Sequence, residues 1–291
     1  MIIVRLNGGL GNQLFQYALG KTLSILHQTP FKIDITWYKK GIRQYELRYF
    51  TINENIATDE DIALTTRITQ RWTHRLDRNL IQPLLPYYKR HVVVEKHFNF
   101  DPNILKVNSS AYLNGYWQNE TYFKKIEEIL RKDLQFKEPL DQQNRIISES
   151  ILQQNAVSLH VRRGDYVSNP EYQQVFGTCG IDYYEKAIRW IGENVENPHF
   201  FLFSDDIPWV IKNINIPFPF TIIDHNKGDK SYRDMQLMSK CKHHIIANST
   251  FSWWGAWLNP DKRKKVIAPA KWANIETERS NYIVPTNWYK I

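Results

Sequence analysis

The segment Val157-Ser158-Leu159-His160-Val161-Arg162-Arg163-Gly164-Asp165 is an apolar run that ends in two arginines, a glycine and an aspartate. If the run is a buried strand of a parallel α/β sheet, it carries those charges to the carboxyl edge of the sheet, where ligands of such folds gather. Guanidinium suits phosphate because its planar fork donates two parallel charge-assisted hydrogen bonds. Neighbouring side chains on a strand point to opposite faces, so Arg162 and Arg163 are expected to have different roles. The competing reading is a structural Arg–Asp pair that holds a loop.

A second segment, Asn248-Ser249-Thr250-Phe251-Ser252-Trp253-Trp254-Gly255, follows an apolar run at His244 to Ala247. Hydroxyl residues where a strand feeds a helix make an anion site, since the first-turn N–H groups point outward and the hydroxyls add donors. Plain capping by Ser249 or Thr250 produces the same pattern, and Trp253, Trp254 and Trp257 read as core. A third segment, Asn7-Gly8-Gly9-Leu10-Gly11-Asn12-Gln13, has glycines that let backbone come close to a ligand. It lacks the G-x-G-x-x-G spacing, and no Gly-Lys-Ser/Thr follows, so it supports neither a dinucleotide fingerprint nor a Walker loop. Asn12 and Gln13 place amide donors and acceptors at the helix entry.

The elements that must position these segments form two α/β halves. Residues 1 to 6 read as a strand, Asn12 to Gln28 as a helix, Phe31 to Ile35 as a strand, and Thr58 to Leu80 as a basic helix. Ala111 to Trp117 reads as a strand, and Glu120 to Leu134 as a helix capped by Asn119. Further on, apolar runs at Ala156 to Val161, His199 to Phe203, Phe220 to Ile223, His244 to Ala247 and Lys265 to Ala268 alternate with helical patterns, the signature of a parallel sheet. Asp182-Tyr183-Tyr184-Glu185 has the pattern of a capping box. Pro139 and its polar neighbours put the domain boundary at 145/146, giving one domain over 1–145 and a second over 146–291, with the last residues expected to pack back on the first domain.

Composition narrows the function. The chain has 291 residues, 42% hydrophobic and 23% charged, which is a globular balance. No window reaches the length of apolar sequence that spans a bilayer. The opening Met1-Ile2-Ile3-Val4-Arg5-Leu6 lacks the features of a secretory leader, so the expected compartment is cytoplasmic. Cys179 and Cys241 are too few for a disulfide framework. The net charge of +8 implies an acidic partner or surface. Much of it lies in Arg67, Arg71, Arg75, Arg78, Lys89 and Arg90, with a second cluster at Lys262-Arg263-Lys264-Lys265. These clusters read either as solvated faces or as contacts with anionic lipid at the inner membrane. No nucleic-acid-binding pattern accompanies the charge, and a non-catalytic carbohydrate module would leave the phosphate-type segments without purpose.

Together with Phe203-Ser204-Asp205-Asp206 and Gly115-Tyr116-Trp117-Gln118, the three segments resemble the bacterial α-1,2-fucosyltransferases of glycosyltransferase family 11, in the family's order and over nearly the whole chain. The resemblance implies a GT-B fold, with two Rossmann-like domains facing across a cleft. It also implies inverting transfer of L-fucose from GDP-fucose to the 2-hydroxyl of a terminal β-galactoside in a surface glycan, the acceptor being free or lipid-linked. Transfer to a different hydroxyl or acceptor sugar is the alternative. No cofactor and no divalent metal are implied.

Carried over residue by residue, the resemblance puts Arg162 on the β-phosphate, His160 and Asp234 on the guanine, and Ser249, Thr250 and Ser252 on the pyrophosphate. It puts Asn12 at the reacting centre. Gly9, Gly11 and Asp205 are implied donor or loop contacts, and Trp117 and Gln118 implied acceptor contacts. For the general base, Asp165 and Glu171 are the candidates, Asp165 also serving as a brace for the arginines. Asp59-Glu60-Asp61 reads as the acidic first turn of a helix, and adjacent His243 and His244 lack the spacing of zinc ligands on a helix.

Overall fold

The computed structural model describes residues 1–41, 43–164, 167, 169–274 and 282–291. It divides into two units, Met1–Lys137 and Glu138–Ile291. In the first, the short apolar runs Ile2–Arg5 (β1), Phe31–Asp34 (β2), Val92–Val94 (β3) and Ala111–Asn114 (β4) pair in parallel, in the order β2-β1-β4-β3. The helix Leu10–Leu26 buries Leu14, Phe15, Ala18, Leu19 and Leu23, the spacing a helix needs to lay one face on a sheet. Gly9 is its N-cap. Gly11, Asn12 and Gln13 therefore sit inside the first turn rather than ahead of it.

The helix expected from Thr58 to Leu80 is broken. Thr58 and Asp61 form a reciprocal capping box for Asp59–Thr66, and Arg67 closes that helix in the left-handed region at φ 59. Helical geometry resumes at Trp72–Leu76 and continues through a π turn, Asp77–Ile81, and a 3-10 turn, Gln82–Leu84. The segment after Asn119 likewise opens with 3-10 turns, Glu120–Tyr122 and Lys124–Ile126, and becomes α-helical only over Glu127–Asp133.

In the second unit, Asn155–Val161 (β5), Pro198–Ser204 (β6), Phe220–Ile223 (β7), His243–Ile245 (β8), Val266–Ala268 (β9) and Tyr289–Lys290 (β10) form a parallel sheet in the order β10-β9-β8-β5-β6-β7. Strand alternation divides β6 between two cores. Phe200 and Leu202 pack with Tyr184, Ala187, Ile188 and Ile191 of the helix Ile181–Asn194, while Phe201 and Phe203 pack with Ile151, Leu237 and Met238. Gly180 caps the Ile181–Asn194 helix without a side-chain bond. Asp182 thus acts on the helix dipole, and the capping box expected there does not form.

The division falls ahead of 145/146 because Asp141 accepts from Asn144 N at 3.0 Å and starts the helix Gln142–Leu152, whose Ile151 is buried in the second core. A boundary at 145/146 would cut that helix. At the other end β10 pairs with β9, so the final strand belongs to the second sheet.

Candidate functional site

In the second sheet the chain runs outward from β5 to β6 and β7, then returns to β8 on the other side of β5 and runs outward again. The topological switch therefore lies between β5 and β8, and the carboxyl edge at a switch point is where α/β sheets bind ligands. Arg162 follows β5, and Ser249 follows β8. Leu159 is in register with Ile245, so the two segments leave the sheet side by side. The rings of His160 and Phe251 lie 6.0 Å apart and join them directly.

Strand alternation separates the two arginines. Arg163 is tied down on both sides: its Nε meets Asp206 Oδ2 at 3.2 Å, and its guanidinium lies 3.8 Å from the Trp209 ring centroid. Arg162 turns the other way and meets Asp205 Oδ2 at 2.9 Å, with 27% of its side chain exposed. Asp205 also accepts from Arg163 N through Oδ1 at 2.9 Å. A Cβ on Gly164 would stand 2.5 Å from Asp205 Oδ2, so the glycine is what lets this carboxylate close against the turn. Asp205 is thus a brace for the Arg162 turn. The brace role considered for Asp165 lies outside the described residues. Glu171 falls within the helix Pro170–Val175, and its side chain is likewise outside them.

His160 is buried, and its Nδ1 has no hydrogen-bond partner among the described residues. Burial, then the nearby Arg162 charge, push its imidazole down to about 3, so at neutral pH the ring is uncharged. A buried polar atom without a partner is costly, and a ligand bearing a donor or acceptor would satisfy this one. Asp234 lies in the first turn of the helix Tyr232–Met238 and accepts from Asn226 Nδ2 at 2.9 Å. Burial raises its carboxyl to about 7 despite that hydrogen bond, and the charge of Asp224 adds to the rise.

At the β8 end, Ser249 is the N-cap of the helix Thr250–Leu258, accepting from Phe251 N at 3.3 Å. Thr250 is half-buried at the first helical position. Ser252 departs from the phosphate contact expected of it: it is 1% exposed and donates to Ser249 O at 3.3 Å. Trp253 and Trp254 pack in the core, Trp253 donating to Ile283 O.

The first unit assembles its own constellation at the carboxyl edge of β1 and β4. Gly8 has φ +76 and would clash with Asn12 if it carried a Cβ. Its carbonyl accepts from Gln13 Nε2 at 3.2 Å and from Tyr38 OH at 3.1 Å. Gln13 is buried and also holds Gln44 O and Glu46 N, so its amide braces the protein instead of facing a ligand. Gln16, equally buried, joins the two glycine turns by bonding Asn7 and Gly115 O. Asn12 is half-buried, and its Oδ1 accepts from Gln118 Nε2 at 2.9 Å. Two residues chosen from segments far apart in sequence are therefore in contact. Gly9 has open space where a Cβ would go, and Gly11 is buried in the first turn.

Trp117 corrects an expectation. It is 1% exposed, stands edge-on to Tyr122 and is a core residue rather than an acceptor contact. Its backbone has φ +56, strained for a bulky side chain. Glu95 holds that strain: its carboxylate accepts from Tyr116 N at 2.7 Å and Trp117 N at 3.0 Å. Glu95 was not expected. It follows β3, and the pairing of β3 with β4 that brings it to the turn was the signal that would have found it.

Among the described residues no group of three His, Cys, Asp or Glu is arranged to hold a metal ion. Asp61 completes the capping box with Thr58 and also binds Lys32 at 2.7 Å, and Asp59 lies in the first turn of the same helix. Asp205 and Asp206 each pair with an arginine.

A sequence model of glycosyl transferase family 11 matches residues 1–291. The chain is 35% identical over 303 residues to the alpha-1,2-colitosyltransferase of Escherichia coli, covering 100% of this chain and 99% of that one. It is 33% identical over 284 residues to the O-antigen biosynthesis glycosyltransferase WbnK of Escherichia coli, covering 92% and 93% of the two. The fold is similar to that of a FUT1 variant from Arabidopsis thaliana solved with GDP, with a TM-score of 0.52, 11% identity, and coverage of 92% of this chain and 70% of that one. The α/β fold, a parallel sheet in each unit, is of the GT-B type.

Proposed function

The chain belongs to glycosyl transferase family 11 and is a glycosyltransferase, and on that footing we propose that it moves L-fucose, with inversion, from GDP-β-L-fucose to the 2-hydroxyl of a terminal β-galactoside in a surface glycan. The observation that carries the reading is the switch-point edge of the second sheet. There a partly exposed arginine, the amino end of a helix and a neutral buried histidine with an unmet ring nitrogen lie together. Those groups match a pyrophosphate joined to a base.

In this mechanism the sugar–phosphate bond breaks through an oxocarbenium-like state, and negative charge grows on the departing GDP. Arg162 exchanges its contact with Asp205 for the β-phosphate and meets that charge as it forms. The first-turn N–H groups at Ser249 and Thr250 meet the second phosphate. Such preorganised charge is commonly the largest catalytic contribution, and we propose that it takes the place of a divalent ion. His160 and Asp234 hold the guanine, whose adjacent N–H donors suit a carboxylate. We assign Asn12, whose Oδ1 accepts from Gln118, to positioning the acceptor hydroxyl.

A second reading concerns the donor, and the similarity to a colitosyltransferase favours it. Colitose is fucose without its 3-hydroxyl, so the two donors would share every phosphate and guanine contact. The test is turnover of GDP-fucose and GDP-colitose, each with a panel of galactose-terminated oligosaccharides, followed by linkage analysis of the product. Faster transfer from GDP-fucose with a 2-linked product is expected. Preference for GDP-colitose would overturn the donor assignment, a product linked elsewhere would overturn the linkage, and GDP binding without transfer to any sugar would overturn both. We place the acceptor on a lipid-linked glycan at the cytoplasmic face of the membrane, a placement supported by the basic clusters.

A further inference from the structure

One surface of the first unit carries none of the residues assigned above to the transfer chemistry. From Leu64 to Leu84 every fourth residue is a large apolar one: Leu64, Ile68, Trp72, Leu76, Leu80 and Leu84. All are exposed, Trp72 by 71%, Leu80 by 62% and Leu84 by 85%, and Ile81 adds 53%. Apolar residues scattered singly on a surface are ordinary, but Trp72, Leu76, Leu80 and Leu84 recur every four residues within one helical run, Trp72–Leu84, and an exposed stripe of that kind marks a contact surface.

The helical rod from Trp72 to Leu84 is packed the opposite way from an ordinary surface helix, whose apolar face turns inward. Here polar groups hold it to the protein. His74 is buried between Arg67 Nη1 and Thr69 Oγ1, each 2.7 Å from a ring nitrogen. Asp77 meets His91 Nε2 at 3.0 Å and accepts from Gln82 Nε2 at 3.1 Å. With those groups inside, the apolar stripe is left to solvent. Arg71, Arg75 and Arg78 flank these residues in the sequence, while Arg67 is held by His74 and Lys89 and Arg90 donate to backbone carbonyls. Between residues 67 and 90 the sole acid is Asp77, which is engaged by His91.

We propose that this stripe seats the protein on an anionic lipid bilayer, with Trp72, Leu76, Leu80 and Leu84 entering the interface and the surrounding arginines meeting lipid phosphates. Such a helix lies in the plane of the interface and does not cross it. No helix among the described residues is long and apolar enough to cross a membrane. The inference deepens the membrane placement given above but rests on the exposure and charge of this segment, and it stands whichever sugar nucleotide is the donor.

The test is sedimentation of the full chain with sucrose-loaded phosphatidylcholine vesicles, with and without phosphatidylglycerol, at low and high salt. Each basic residue at such a surface contributes about fivefold to partitioning, and each apolar side chain withdrawn from water about tenfold. Binding is expected to need the anionic lipid and to weaken with salt. It should drop about 100-fold with Leu80→Ser and Leu84→Ser together, and about 25-fold with Arg75→Ser and Arg78→Ser together. Tryptophan fluorescence should be quenched by brominated acyl chains, less so in Trp72→Phe. Transfer to a soluble acceptor should be unchanged in all of these variants, which establishes that they fold. Absence of sedimentation, equal binding to pure phosphatidylcholine, or full binding by the leucine variants overturns the proposal. So does a concentration-dependent dimer that the leucine variants dissociate without loss of vesicle binding, because the stripe then faces a second copy of the chain.

Discussion

The ionisation of Asp234 offers a test of the donor site that separates guanine recognition from catalysis. Its carboxyl is raised from 3.8 to about 7, chiefly by burial. If the ionised form is the one that accepts the guanine N–H pair, sugar-nucleotide affinity follows the ionised fraction. That fraction rises from about one-eleventh at pH 6 to about ten-elevenths at pH 8, a tenfold gain in affinity worth about 1.4 kcal/mol. His160 adds nothing to this slope, since its imidazole is held down at about 3 and stays neutral throughout. Stability should move in the opposite direction. The folded value lies above the unfolded one, so the folded chain binds the extra proton between about 3.8 and 7 and loses stability as pH rises through that window. The full shift corresponds to about 4 kcal/mol, and partial solvent access reduces this to about 2 kcal/mol. Asp234→Asn removes the charge and keeps an acceptor for Asn226. It should therefore raise Tm at pH 8 by several degrees, raise it by less at pH 5, leave it nearly unchanged below pH 3.8, and weaken binding at pH 8 about tenfold with no pH slope. Calorimetric titration with GDP-fucose is the suitable assay, because its pyrophosphate does not titrate in this range as the terminal phosphate of GDP does. Flat wild-type affinity from pH 6 to pH 8, or a lower Tm for the variant at pH 8, would refute the reasoning.

Arg162→Ala should lower kcat on the order of 100-fold or more, with little change in Tm because its ion pair with Asp205 is partly exposed and worth at most about 1 kcal/mol; near-normal kcat in a folded variant rules out its role at the phosphate. Activity should be unchanged in EDTA, and loss by chelation with recovery on adding manganese would require a metal in the mechanism. Gln16→Leu should destabilise the first unit by about 2–4 kcal/mol in urea unfolding, because it leaves Asn7 N and Gly115 O, two partners of a buried amide, unmet; a neutral effect would mean that water replaces the amide there.

The strands were legible because their apolar runs are short and bounded by turn residues, and the division of β6 between two cores follows from alternation alone. The break at Arg67 was not. Arginine has no preference for the left-handed region, and the break is held by side-chain bonds that apolar periodicity does not reveal: Thr66 Oγ1 bonds back to Ile62 O, while His74 sits between Arg67 and Thr69. The start of the second unit was legible in principle, since Asp141 three residues before Asn144 is an ordinary N-cap arrangement. Weight given to Pro139 as a breaker moved the expected boundary into the helix that Asp141 begins.

Within the site, the divergence of Arg162 from Arg163 could be read from strand alternation, whereas the functions of the hydroxyls could not. A serine that caps a helix and a serine that binds phosphate present the same oxygen at the same position, and only burial distinguishes Ser252 from Thr250. Of the carboxylates that hold the turns, Asp205 was legible as a loop contact and Glu95 was not, yet the two work in the same way. Asp205 leaves β6 and braces the turn after β5, while Glu95 leaves β3 and braces the turn after β4. Each acid comes from the strand next to the one whose turn it holds, in different sheets. A motif read along one strand supplies the ligand-facing group, but its orientation depends on a residue that only sheet pairing brings near. Gly164 and Gly115 mark those places in the sequence, because each would clash with the neighbouring acid if it carried a side chain. A glycine just past a strand, read together with an acid just past the neighbouring strand, is therefore the pattern that both braces share and that would have added Glu95 to Asp205.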